Sequence, residues 1–168
     1  MTPRRLGLRV ALFVLMLDQI TKWFVIYRLQ LPMQDSVEIL PIFRLIWVEN
    51  RGVSMGFLTA NGDLGRWLLA AGTGLIAIGV GVWLWREKRR PDAVALGLVL
   101  AGALGNILDR VRLGFVADFL NLHFGAWSPF LVFNVADAAI SIGVALLVFR
   151  AIFTRDTPPP SENVNGEA

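Results

Sequence analysis

Between Arg66 and Arg86 the chain runs for nineteen residues, Trp67 to Trp85, without a single charge. That length matches the hydrocarbon thickness of a bilayer, where no water is available to backbone N–H and C=O groups and a helix satisfies them internally. The Trp residues at its two ends suit the membrane–water interface. Three more apolar runs follow the same logic, giving expected helices over about 6–27, 67–85, 93–111 and 130–149, the last opened by Ser128-Pro129. A hydrophobic content of 55% with 17% charged residues is too apolar for a soluble domain of this size. The fold class expected is an α-helical integral membrane protein with one domain over 1–153.

The first run begins with basic residues, as a secretory signal does, but no small-residue cleavage site follows. Asp18-Gln-Ile-Thr-Lys22 comes instead and the apolar pattern resumes at Trp23, so a retained spanning helix is predicted. The second helix carries small residues at 70/74 and 77/81, a spacing that lets neighbouring helices approach closely. The segment 30–61 is broken by Pro32 and Pro41, and Ile42 to Glu49 alternates as a short strand does. Asn50 to Phe57 and Asn61-Gly62-Asp63 read as turns. The tail 154–168, with Pro158 to Pro160, is polar and expected to be disordered.

The net charge of +3 comes from clusters that flank the apolar runs: Arg4, Arg5 and Arg9, then Arg86, Lys88, Arg89 and Arg90, then Arg150 and Arg155. Such clusters are topology signals and not a nucleic-acid surface, since no aromatic-interleaved polar face lies between them. The positive-inside rule puts these places, and both termini, in the cytoplasm. There is no Cys, which excludes disulfides and thiolate clusters, and the lone His123 has no second His or Cys with which to build a metal site.

Into this apolar background the chain inserts a few polar residues. A carboxylate at mid-bilayer costs roughly 2.5–3.5 kcal/mol on insertion scales, so each is a functional hypothesis. Asn134 and Asp137 are spaced i, i+3 and share a helical face. Asn106, Asp109 and Arg110 come late in an outward helix, with Gly102 continuing the face of Asn106 and Arg110. Asp18 is late in another outward helix, and its i+4 neighbour Lys22 is either a local ion pair snorkelling to the interface or part of a site. Asp137 is expected roughly 10 Å below the outer end of the fourth helix at 1.5 Å per residue. The polar groups thus gather at one level, toward the outer leaflet, where Asp118 in the outer connection also reaches. Asp118 and Asp137 are the pair suited to acid/base work, because two carboxylates sharing a site hold one proton between them. Residue types alone leave a structural ion-pair network open.

Five stretches, Asp18-Gln-Ile-Thr-Lys22, Asn50-Arg-Gly52, Gly102-Ala-Leu-Gly-Asn106-Ile-Leu-Asp109-Arg110, Val116-Ala-Asp118-Phe119 and Phe133-Asn-Val-Ala-Asp137, resemble in order the signature blocks of the bacterial lipoprotein signal peptidases. The resemblance implies an aspartic endopeptidase of the bacterial inner membrane without metal or organic cofactor. Its substrate would be a diacylglyceryl-modified prolipoprotein met in membrane lipid and cut before the modified Cys, and peptide antibiotics would inhibit it. By position it implies Asp118 and Asp137 as catalytic. Asp18, Lys22, Asn50, Gly52, Gly102, Asn106, Asp109, Arg110, Asn134 and Ala136 would support the dyad or bind substrate, and 30–61 would form a small extracytoplasmic β-cradle.

A proton-coupled transporter or channel would also place carboxylates in helices, but along a path through the midplane, often with repeats or broken helices. Here the second helix has no ionisable group and the inner halves of the others are apolar. A scaffold protein would tolerate conservative Asp to Asn changes.

Overall fold

The computed structural model describes residues 1–52, 63–125 and 127–153. The turns expected over 53–57 and at Asn61-Gly62, and the tail from Thr154, lie outside these residues. Four helices are long and apolar enough to cross a membrane. They are α1 (Pro3–Trp23), α2 (Asp63–Arg86), α3 (Arg90–Arg112) and α4 (Val135–Phe153). Thr2 caps α1 through its hydroxyl and Pro3 fills the first turn, where its missing N–H costs nothing. A π-helical turn, Phe24–Arg28, prolongs α1, and Gln30 at φ 52° breaks it.

The bundle is built on α3, which packs on each of the other three helices. In its most apolar stretch 56% of residues are buried, against 17–22% in the others. Small residues make this possible. A Cβ on Gly97 would strike the Gly7 carbonyl, and one on Gly143 would come within 2.7 Å of the Ala95 carbonyl oxygen, so α1 and α4 both touch the backbone of α3. The small residues of α2 do not serve this purpose in the way their spacing suggests. Gly74 and Gly81 meet nothing within 4 Å, while their partners Ala70 and Ala77 are buried.

At one end the basic residues cluster. Arg4 stacks 3.9 Å over the Trp85 ring, and Arg150 pairs with Asp92, so the starts of α1 and α3 meet the ends of α2 and α4. At the other end a three-stranded antiparallel sheet follows α1, made of β1 (Val37–Leu40), β2 (Phe43–Asn50) and β3 (Val116–Leu122) in that order. Val25, Leu31, Leu45 and Phe119 form its core, which seats the sheet on the last turns of the first helix. The segment expected to hold one strand thus supplies two, and the third comes from the connection that carries Asp118. Between Leu45 and Val48 the register of β2 on β3 shifts, a bulge after which Val48 faces Asp118 and Asn50 faces Val116.

The fourth helix begins at Val135, later than the expected residue 130. Before it, Phe133 is drawn into the sheet, its N–H donating to the Leu120 carbonyl at 3.0 Å and its carbonyl accepting from Leu120 N–H at 2.7 Å. Asp137 therefore sits in the first turn of α4 and not about two turns down. Three-strand cradle and four spanning helices together make a multi-pass membrane protein.

Candidate active site

Asn134 caps α4. Its side-chain oxygen accepts from the N–H of Asp137 at 2.9 Å, and the Asp137 carboxylate reaches back to the N–H of Asn134 at 3.3 Å. This is a reciprocal capping box written with Asn and Asp, and it satisfies two otherwise orphaned donors while fixing the Asp137 rotamer. The amide nitrogen of Asn134 remains free to donate outward, and it donates to Asp118 Oδ1 at 2.6 Å. One buried amide therefore links the two carboxylates.

Each carboxylate has a second amide. Asn106, on α3, donates from Nδ2 to Asp137 Oδ1 at 2.8 Å. Asn50, at the end of β2, donates from Nδ2 to Asp118 Oδ2 at 3.0 Å. The carbonyl oxygen of Asn50 accepts from the Gly52 N–H at 3.1 Å, a local turn that sets which way its amide points. Gly52 adopts φ 119°, a region closed to other residues, and a Cβ there would meet Leu69 at 2.5 Å. Arg110 makes no ion pair with either aspartate among the described residues. Its guanidinium lies 3.4 Å from the Asn106 carbonyl, within electrostatic reach of both.

Asp118 is almost fully buried, and burial pushes its carboxyl up to about 6. The nearby Asp137 charge pushes the same way, while the Asn50 and Asn134 amides hold it down in part. A carboxylic acid and a carboxylate side by side are equipped to donate and accept a proton in one reaction.

Behind this pair lies a second layer. Lys22 is 3% exposed and does not snorkel: it is clamped between Asp18 Oδ2 at 2.9 Å and Asp109 Oδ2 at 2.7 Å. The remaining carboxylate oxygen of Asp18 accepts from the Ala136 N–H at 3.0 Å, and Asp109 accepts from the Ala117 N–H at 3.1 Å. Ala136 and Ala117 immediately precede Asp137 and Asp118. One ammonium thus organises two acids, each holding the peptide next to one aspartate of the pair. Gln19 joins them, donating to Asp18 and Asp109 at 3.1 Å each and accepting from Arg112 at 3.0 Å. Gln19 is not among the residues the sequence patterns single out, although it lies next to Asp18 in an otherwise apolar helix. Neither is Gly105, where a Cβ would meet Asp18 Oδ2 at 2.6 Å. Gly102 plays the like part for Ala136, whose carbonyl rests on it. All the residues singled out from sequence are therefore brought together at one end of the bundle, in two connected layers.

The family model for signal peptidase (SPase) II matches residues 10–153. A lipoprotein signal peptidase of Rhizorhabdus wittichii is 60% identical over 162 residues, covering 96% of this chain and 94% of its own. That of Sphingopyxis alaskensis is 49% identical over 148 residues, 88% of this chain and 86% of its own. A solved structure of a bacterial membrane enzyme superposes with a TM-score of 0.75 at 30% identity, covering 89% of this chain and 94% of that one. With the family's match running from the first helix through the last, the chain belongs to the signal peptidase II family of membrane proteases.

Proposed function

We propose that this protease is an aspartic endopeptidase that removes signal peptides from prolipoproteins, cutting before the diacylglyceryl-modified Cys, with Asp118 and Asp137 as its catalytic pair. The observation that carries the reading is the Asn134 amide, which bridges Asp118, whose carboxyl burial pushes up to about 6, to Asp137. In the reaction Asp137 takes a proton from a water between the two, and the hydroxide oxygen bonds to the scissile carbonyl carbon. Asp118 gives its proton to the carbonyl oxygen as the π bond breaks. Collapse of the tetrahedral intermediate breaks the C–N bond, the amide nitrogen takes the proton from Asp137, and the returning carbonyl gives one back to Asp118. Water and the two carboxyl groups supply every atom and proton moved, and the reading assigns no metal or organic cofactor to the reaction.

Lys22, Asp18 and Asp109 act as positioning residues, with Gln19 joining them, and Gly52, Gly102 and Ala136 as close-packing ones. Arg110 and Asn106 orient Asp137 and the substrate backbone. With the basic end in the cytoplasm the site lies at the outer leaflet of the inner membrane, with both termini cytoplasmic. The sheet then rests on that leaflet, as the exposed Ile39 and Leu40 of β1 and the exposed Met33 and Ile42 in the turns beside it suit. A substrate anchored in membrane lipid by its acyl chains presents its scissile bond at that level, which supplies orientation before any contact is made. The peptide antibiotics that inhibit the family would occupy the same cleft.

The test is to incubate purified protein with a diacylglyceryl-modified precursor beside the unmodified one. Cleavage of the modified form alone is expected. Cleavage of neither, or full activity in Asp118→Asn or Asp137→Asn, overturns the assignment.

A further inference from the structure

The layer behind the aspartates does not balance within itself. Asp18 and Asp109 bring two carboxylates and Lys22 one ammonium, all three buried, and Gln19 between the acids is neutral. With both acids ionised one negative charge is left over, and a buried charge without a partner is costly. A second cation stands at the outer end of α3. Arg112 is exposed, so its guanidinium keeps its water, and it donates to the side-chain carbonyl of Gln19 at 3.0 Å. A small crevice between the outer ends of α1 and α3, lined by Gln19, Lys22, Asp109 and Arg112 with the rings of Trp23 and Tyr27, joins this guanidinium to the buried acids.

Gln19 carries that charge inward. An amide has a donor end and an acceptor end of nearly the same shape. Its Nε2 lies 3.1 Å from both Asp18 Oδ2 and Asp109 Oδ1, and turned over it would set an oxygen against two carboxylates. A guanidinium has donors only, so Arg112 favours the same orientation from the other side. Hydrogen bonds thus run from Arg112 through Gln19 onto the two acids, and the same acids hold the N–H groups of Ala136 and Ala117. Bonds in such a chain polarise and strengthen one another.

We propose that Arg112 is a positioning residue for cleavage, acting from the membrane surface through Gln19 to hold the peptides that precede Asp118 and Asp137. The proposal rests on the assignment of those two aspartates as the catalytic pair. Arg112 reaches the frame that carries them through Gln19, so its removal leaves the substrate's own contacts in place and loosens the aspartates against the scissile carbonyl. Such a change lowers kcat and leaves KM. Arg112 also ends α3, where a cation suits the helix dipole. A charge that served the helix end alone would act equally with or without Gln19, and this separates the two roles.

The experiment is a double-mutant cycle on the full chain in bilayers, with a diacylglyceryl-modified precursor as substrate and Arg112→Met, Gln19→Leu and the two together as variants. Arg112→Met is expected to lower kcat about tenfold with KM unchanged. In the Gln19→Leu background the same change is expected to cost nothing further. Should Gln19→Leu fail to accumulate, Gln19→Ala closes the cycle. An Arg112→Met loss as large without Gln19 as with it overturns the proposal. So does a loss confined to KM, which would make Arg112 a substrate contact, and so does no loss at all. Each of these leaves the peptidase reading standing, whereas no cleavage by the wild type removes both.

Discussion

At the scale of single residues the site is governed by how Asp118 holds its proton. Acting on free enzyme, the pair needs Asp118 protonated, so kcat/KM is expected to fall on the alkaline side as Asp118 titrates near 6, giving a bell-shaped profile. The Asn50 amide stabilises the charged form, so Asn50→Leu should move that alkaline limb to higher pH as well as lower the rate. A limb that stays in place would separate Asn50 from the titration. Stability follows the same linkage. Folded Asp118 keeps its proton up to about 6, whereas the unfolded chain loses it near 3.8, so unfolding releases a proton between these values. Stability must then fall as pH rises from about 4 to 6, the loss being complete above 6. The Tm of the parent should drop relative to that of Asp118→Asn across this window and run parallel to it above. A constant difference at all pH values would contradict the shift.

At the scale of elements, catalysis depends on the first turn of α4 being placed against α3 and β3. Asn134→Ala removes the cap, worth about 1 kcal/mol of stability, but it also unlinks the aspartates, so cleavage should be lost far out of proportion to the drop in Tm. Lys22→Met leaves two acids facing each other without their cation, and losing one partner of a buried pair costs about 3–5 kcal/mol. Thermal unfolding of that variant should show it, with partial recovery in the double change Lys22→Met and Asp109→Asn. Gly102→Val drives a side chain into the Ala136 carbonyl. A displacement of about 1 Å at reacting groups costs on the order of 10²-fold in rate, so the variant is expected to insert and accumulate with turnover reduced by that order.

At the scale of the whole molecule the membrane sorts the chain into a basic end and a sheet-bearing end where the buried carboxylates of the site collect. The natural absence of Cys makes this testable with single substitutions. Glu38→Cys on β1 should react with an impermeant maleimide in intact cells whose outer membrane has been opened, and Glu87→Cys between α2 and α3 should react only after lysis. The reverse pattern would invert the site to the cytoplasmic leaflet. What the sequence determined unaided is the number of spans, their relative direction, and the identity of the polar residues that share one end. Those follow from transfer free energies that are large, local and additive along a segment. Where the segments bend or begin was less legible: α4 starts at a capping box, because Asn134 spends its side chain on Asp137 and Phe133 joins the sheet. The partners themselves were decided only by tertiary structure. Asp18 reaches Ala136 across 118 residues and Asn50 reaches Asp118 across 68, and no local pattern encodes such hydrogen bonds. They exist because glycines let α1 and α4 close onto α3, and because one bulge in β2 turns Asn50 toward Asp118.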